Sequence, residues 1–326
     1  MKVAFVGKGG SGKSTLSALF IKHLERQARA DVLAIDADIN MNLSGLLGVE
    51  PDQAALLSRP EVAQAVRAHL KGDNDRIGEA GKFLPTTPPG LGSRLVLGAD
   101  DEFLSTYMTE VSKEPLINLL TVGTYEAGGI GETCYHSHLF VAENILSHTV
   151  CDEDFHVVCD MVAGTDAFAY SMHLQFDAIF LICEPSPESV EVCRLYRQLA
   201  GEAGIADLIH LVGNKIEDQG DLDYINRCVG QEPVAWLPKL SSLKRARQDG
   251  RPVCLDLLDD NALSVLGDLE RRALAPALVD ADRLSMLHDL HMRLNGKQWV
   301  QSAYGDVSGQ IDREFVFPSR KELALV

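Results

Sequence analysis

The sequence predicts an α/β fold built on a mostly parallel sheet with helices on both faces. Three observations predict it. Short, β-branched apolar runs alternate with helical stretches along most of the chain. These runs are nearly continuous in apolar residues, as strands buried on both faces must be. The residues able to do chemistry stand at the carboxyl ends of the runs, where ligands bind in such sheets.

The first run, Val3 to Val6, leads into Gly7-Lys8-Gly9-Gly10-Ser11-Gly12-Lys13-Ser14-Thr15, and Leu16-Ser17-Ala18-Leu19-Phe20 then reads as a helix. Further strands are predicted at Val32 to Asp36, Leu119 to Val122, His156 to Asp160, Ala178 to Cys183, Leu208 to Gly213 and Val234 to Leu237. Residues 71–103 break the alternation with turn-rich segments such as Pro85-Thr86-Thr87-Pro88-Pro89-Gly90, and they read as an inserted surface region. Residues 256–295 read as a helical part packed on the main domain, residues 1–255, with Leu257, Leu258, Leu263, Leu266 and Leu269 at helical spacing. Beyond Gly296 the periodicity fades, and residues 296–326 form a tail expected to need a partner subunit for order.

A chain of 326 residues is long enough for one large α/β core with an insertion and an extension. The formal net charge of −17 disfavours broad attraction to nucleic acid or to anionic lipid, since both are negative. No apolar stretch is long enough to span a bilayer, and Met1 is followed by a strand rather than a signal-peptide pattern, so a cytoplasmic location is expected. The tail does not form a basic amphipathic membrane helix, because Pro318 interrupts it. The seven cysteines show no paired framework, and Cys159 and Cys183 lie inside apolar runs as small hydrophobes.

The glycine-rich turn between a strand and a helix directs backbone N–H groups and a helix dipole at a triphosphate. Lys13 is expected to reach the β- and γ-phosphates and Ser14 to hold Mg²⁺, while Gly9, Gly10 and Gly12 let a phosphate approach and Ser11 and Thr15 complete the cradle. In Asp36-Ala37-Asp38-Ile39-Asn40, a carboxylate just past a strand end can orient the attacking water.

The order Lys-Gly-Gly-x-Gly-Lys-Ser resembles the deviant Walker A loop of the MinD, ParA, nitrogenase iron protein and CooC superfamily, P-loop NTPases of the SIMIBI class. The resemblance implies that Lys8 reaches across a dimer interface to the partner's nucleotide. It also makes Asp38 the switch I aspartate acting on water, Asp36 a holder of a water on Mg²⁺, Asp160 the Walker B carboxylate and Gly164 the switch II glycine that senses the γ-phosphate. Asn214 and Lys215 resemble the base-binding segment, with Asn214 facing adenine, and Leu237-Pro238-Lys239 resembles the carboxyl-terminal part of the nucleotide site. Glu217 stands where guanine-selective relatives carry an aspartate, yet the superfamily resemblance favours ATP.

The segment Gly128-Gly129-Ile130-Gly131-Glu132-Thr133-Cys134-Tyr135-His136-Ser137-His138 resembles that of CooC-type nickel-accessory ATPases, whose Cys-x-Cys pairs meet across the dimer and bind metal. Here His136 replaces the second cysteine. If the segment is extended, Cys134, His136 and His138 project to one side, and two copies could bind Zn²⁺ or Ni²⁺; the other reading is a polar interface loop. Residues 161–182 contain no cysteine, so a cluster of four thiolates shared between subunits would be two ligands short.

Together these readings imply an ATPase that closes into a homodimer around ATP and Mg²⁺ and relaxes after hydrolysis. By resemblance its use is the maturation of a metalloenzyme client, nickel delivery to a carbon monoxide dehydrogenase-like enzyme being the sharpest form. The alternative is a positioning or scaffold ATPase that controls assembly with a protein partner.

Overall fold

Eight strands form one sheet in the order β3-β4-β2-β5-β1-β6-β7-β8 in a computed structural model that describes residues 1–124 and 135–318. The strands are β1 (Lys2–Gly7), β2 (Asp31–Ala37), β3 (Met108–Lys113), β4 (Leu116–Thr121), β5 (Phe155–Met161), β6 (Ala178–Cys183), β7 (Ile209–Ile216) and β8 (Ala235–Pro238). All pairings are parallel except the edge hairpin of β3 with β4. The seven strands expected from the sequence are present. The eighth, β3, has the sequence Met-Thr-Glu-Val-Ser-Lys, too polar to stand out because it is an edge strand without a fully buried residue.

Alternate residues of the central strands feed two apolar layers, one on each face. Val3 and Phe5 face α1 (Lys13–Gln27) and α2 (Asn42–Leu47), where Phe20 and Leu43 pack, whereas Ala4 and Val6 face the layer of α3 (Pro60–Lys71), α4 (Tyr135–Ser147), α5 (Pro187–Glu202) and α6 (Gln219–Val229). Phe5, Phe20 and Phe180 form a ring cluster with centroids 5.2–6.1 Å apart, which seats α1 against β1 and β6. This packing fixes the start of α1 at the carboxyl end of β1.

The chain continues through α7 (Ser241–Gln248), α8 (Asp260–Ala273), α9 (Asp280–Asn295) and α10 (Gln298–Tyr304). Pro276 falls between α8 and α9, where it cannot continue a helix. Among the described residues no helix is long and apolar enough to cross a membrane.

Within residues 71–103, the run from Phe83 to Gly90 differs from the surface segment expected of it. Phe83, Leu84, Thr86 and Thr87 are at most 1% exposed, because the C-terminal residues cover them. Thr86 Oγ1 lies 3.0 Å from His291 Nδ1, Thr87 donates to Gln310 Oε1 at 2.8 Å, and Lys82 donates to the Tyr304 carbonyl at 2.9 Å. The described part of the tail packs on its own chain. The burial was hidden from periodicity because turns, not one face of a helix or strand, present the buried groups.

Candidate nucleotide-binding site

The sheet order brings the chemistry of four strands together at the carboxyl end of the sheet. β1 runs between β5 and β6, and β2 lies beyond β5, so loops after these strands surround the loop 8–12. Asp36 on β2 stands in register with Asp160 on β5, which stands in register with Phe5 on β1. Two of the expected carboxylates are thus neighbours by strand pairing alone.

Gly12 begins α1 with φ 100°, and a Cβ there would collide with the Asn214 amide. Gly7 is equally confined: a Cβ would sit 2.6 Å from the Ile182 carbonyl. Asn214 Nδ2 donates to the Ser11 carbonyl at 2.7 Å, and Lys215 Nζ donates to the Gly10 carbonyl at 2.6 Å, so the end of β7 braces the loop. Gly9 and Gly10 are exposed, Ser11 is buried, and Ser14 and Thr15 are half-buried in the first turn of α1. Pro238 ends β8 in register with Ile216, on the strand beside the one that carries Asn214.

The two loop lysines part to opposite sides of β1. Lys13 is 5% exposed, and its ammonium contacts the carboxylate of Asp38 on the β2 side. Asp38 Oδ1 also accepts the Asn40 N–H at 3.0 Å and its side-chain amide at 2.8 Å. Lys8 turns to the β6 side, where its Nζ is 3.4 Å from Glu184 Oε1. Glu184 Oε2 accepts from Lys215 at 2.6 Å, so one carboxylate joins two cations. Burial alone would raise the Glu184 pKa, but the hydrogen bonds and charges of Lys215 and Lys8 hold it below the usual carboxylate value. Glu184 stands beside the loop although no sequence motif assigned it a role. Its position one residue past a central strand was the available signal.

Asp36 and Asp160 are fully buried, and burial raises both above the ordinary carboxylate range; the charge of Asp160 adds to the rise at Asp36, while the charge of Lys13 and the nearby Ser14 hydroxyl oppose the rise at Asp160. The oxygens of Asp36 accept the Leu43 N–H at 2.9 Å and the Asp38 N–H at 3.2 Å, so this side chain shapes the loop carrying Asp38. Asp160 Oδ1 lies 3.4 Å from Ser17 Oγ, and its Oδ2 is buried with no hydrogen-bond partner. A carboxylate oxygen left unpaired beside the Ser14 hydroxyl is a donor set suited to a hard divalent cation, so the residues present fit Mg²⁺. The Gly164 N–H donates to the Gly7 carbonyl at 3.0 Å, tying the loop after β5 to the start of the phosphate loop.

His136 and His138 fall in a helix rather than in an extended run. Residues 135–147 are α-helix, and positions two apart on a helix point to different sides. Cys134 and the side chain of His136 lie outside the described residues; His138 is half-buried on α4. Among the described residues no group of three or more histidine, cysteine and acidic side chains is placed to hold a metal ion.

A strand, a glycine-rich loop and a helix, with acidic residues at the neighbouring strand ends, define a P-loop ATPase. The chain belongs to the CobQ/CobB/MinD/ParA nucleotide-binding family, whose model matches residues 3–301. It is similar to the carbon monoxide dehydrogenase accessory protein CooC of Rhodospirillum rubrum, with 28% identity over 260 residues, 79% of this chain and 90% of that protein. It is also similar to an ATP-binding protein of Methanocaldococcus jannaschii, with 25% identity over 258 residues, 78% of this chain and 92% of the other. Two solved structures share the fold. A ParA family ATPase from Chlorobium tepidum superposes with a TM-score of 0.54 at 18% identity, covering 82% of this chain and 96% of that one. The cell division ATPase MinD of Pyrococcus furiosus gives 0.53 at 19% identity, covering 83% and 98%.

Proposed function

We propose that the chain is a dimeric ATP-driven switch of the CooC type, used in the maturation of a metalloenzyme. The observation that carries the switch is the divergence of the two lysines. Lys13 points inward to Asp38, while Lys8, a third of whose side chain is exposed, points away from it toward Glu184. A lysine on the outer side of its own loop is suited to a triphosphate held by a second copy.

In this reading the backbone of residues 9–15 cradles the phosphates of ATP, and Lys13 exchanges Asp38 for the β- and γ-phosphates. Asp38, released from that ammonium, orients the attacking water and takes up its proton. Ser14 and Asp160 would hold Mg²⁺, whose charge would offset that developing on the transferred phosphoryl oxygens, with Asp36 supporting the Asp38 loop. Gly164 trades its bond to Gly7 for the γ-phosphate, and its return after hydrolysis opens the dimer. Asn214 and Pro238 lie on the strands that would border the base, and Lys215 braces the loop. A cytoplasmic location fits this use.

Support for the client class comes from the 28% identity with CooC of Rhodospirillum rubrum across most of both chains. Metal analysis of the ATP-loaded dimer tests it. Stoichiometric Ni²⁺ or Zn²⁺ that disappears on Cys134→Ser supports the accessory role. A dimer that hydrolyses ATP and takes up neither ion contradicts it, and favours the positioning or scaffold reading. That second reading draws on the joint surface that residues 71–103 build with α10 and residues 306–312.

A further inference from the structure

The segment after β5 is pinned at both ends. At its start the Gly164 N–H is bonded to the Gly7 carbonyl at 3.0 Å. At its end the Ser171 N–H donates to Glu143 Oε2 at 2.6 Å, and Ser171 Oγ lies 2.5 Å from the same oxygen and 2.8 Å from the Pro85 carbonyl. Glu143 is 2% exposed on α4, and its neighbour Asn144 donates to the Leu84 carbonyl at 2.7 Å. The far end is thus held by a frame made of α4 and the insertion. The C-terminal chain locks that insertion from outside, through Thr87 with Gln310 and Thr86 with His291.

Tyr170 sits one residue before the fixed end. Its ring meets Phe140 of α4 edge-on at 4.8 Å and Trp299 of α10 at 6.3 Å, and Trp299 in turn meets Tyr304 at 6.2 Å. Trp299 is 43% exposed at the start of α10, while the helix itself is anchored by the fully buried Val300 and by the Tyr304 carbonyl, which accepts from Lys82. Buried hydrogen bonds to a carboxylate resist displacement far better than edge contacts between rings do. Within residues 165–170, Phe168 packs on the buried rings of Tyr196 at 4.8 Å and His173 at 5.0 Å, whereas Tyr170 meets the exposed Trp299, so a movement that starts at Gly164 is expected to yield at the contact between Tyr170 and Trp299.

We propose that the Trp299 ring, at the start of α10, is the output of the ATPase cycle, reading through Tyr170 whether Gly164 is bonded to Gly7 or to a γ-phosphate. The inference rests on the reading of Gly164 given above and adds the path by which the C-terminal extension responds. The chain contains two tryptophans, Trp236 and Trp299, so Trp236→Phe leaves Trp299 as the sole reporter.

The experiment titrates the Trp236→Phe protein with Mg²⁺ and a non-hydrolysable ATP analogue, following tryptophan emission and its quenching by acrylamide. Equilibrium dialysis measures nucleotide occupancy in the same samples. The expected result is an emission shift and a change in quenching that saturate together with occupancy. In Trp236→Phe with Tyr170→Leu the analogue still binds and the shift is lost. Unchanged Trp299 emission at full occupancy overturns the proposal, as does a full shift in the Tyr170→Leu protein. If the parent protein does not bind the analogue, the reading of the site falls and the inference falls with it.

Discussion

Glu184 and Lys8 meet at 3.4 Å on the β6 side of the phosphate loop, and Lys215 meets the other oxygen of the same carboxylate at 2.6 Å. Glu184 follows β6, Lys215 lies within β7, and Lys8 follows β1, so three neighbouring strands deliver the three charges. In the proposed cycle Lys8 must leave Glu184 before it reaches a partner's triphosphate. The pair is partly exposed, and its loss costs about 1 kcal/mol or less.

Removing that counter-charge is expected to favour closure. Glu184→Gln should tighten ATP-dependent self-association by about threefold to fivefold, the equivalent of about 1 kcal/mol. Sedimentation across a range of protein concentrations, with saturating Mg²⁺ and ATP, measures it. Weaker association in the variant would mean that Glu184 supports the closed state instead.

Asp38 carries the next prediction. Asp38→Asn removes the carboxylate assigned to the attacking water while keeping the side-chain shape, so turnover should fall about 10²- to 10⁴-fold. ATP affinity should hold or rise, because Lys13 loses a competitor for the phosphates. Single-turnover hydrolysis alongside equilibrium binding separates the two effects, and hydrolysis at the parent rate removes Asp38 from the mechanism.

Acid should destabilise the fold through buried histidines. Burial lowers the pKa values of His148, His156 and His173 to about 4 from an ordinary 6.5, helped at His156 by the charge of the N-terminal amine. The His148 ring lies 2.8 Å from the Asn144 carbonyl through Nδ1, whereas its Nε2 is buried without a partner, so a second proton would have nowhere to bond. The unfolded chain binds more protons between these two values. Stability is full above about pH 6.5 and declines as the pH falls through about 4, with His148 contributing on the order of 3 kcal/mol. Asp36 and Asp160, whose raised pKa values act in the opposite direction, are common to parent and variant, so the test is a difference: between about pH 7 and about pH 5 the urea midpoint of the parent should fall relative to that of His148→Leu. A difference that stays constant over this interval contradicts the assignment.

The central strands were legible because burial on both faces leaves runs such as Ala178 to Cys183 with no polar residue to blur them. The phosphate loop was legible because its spacing is set by backbone geometry, as Gly12 against Asn214 illustrates. Other features depend on tertiary contacts that no local pattern carries. Leu84 and Thr87 are buried only because α9, α10 and residues 306–312 return over them. The alternation Cys134, His136, His138 is compatible with an extended run, but His136 and His138 fall in a helix of thirteen residues beginning at Tyr135. Glu184 gains its meaning from Lys8 and Lys215, distant in sequence and joined only by strand order.

The most direct test of the account is sedimentation of the parent protein and of Lys8→Ala, with and without Mg²⁺ and ATP, with bound nucleotide measured in each sample. The account predicts that the parent passes from monomer to dimer on binding ATP, and that Lys8→Ala binds ATP and stays monomeric. A Lys8→Ala protein that dimerises like the parent, or a parent that binds ATP and remains monomeric, would contradict it.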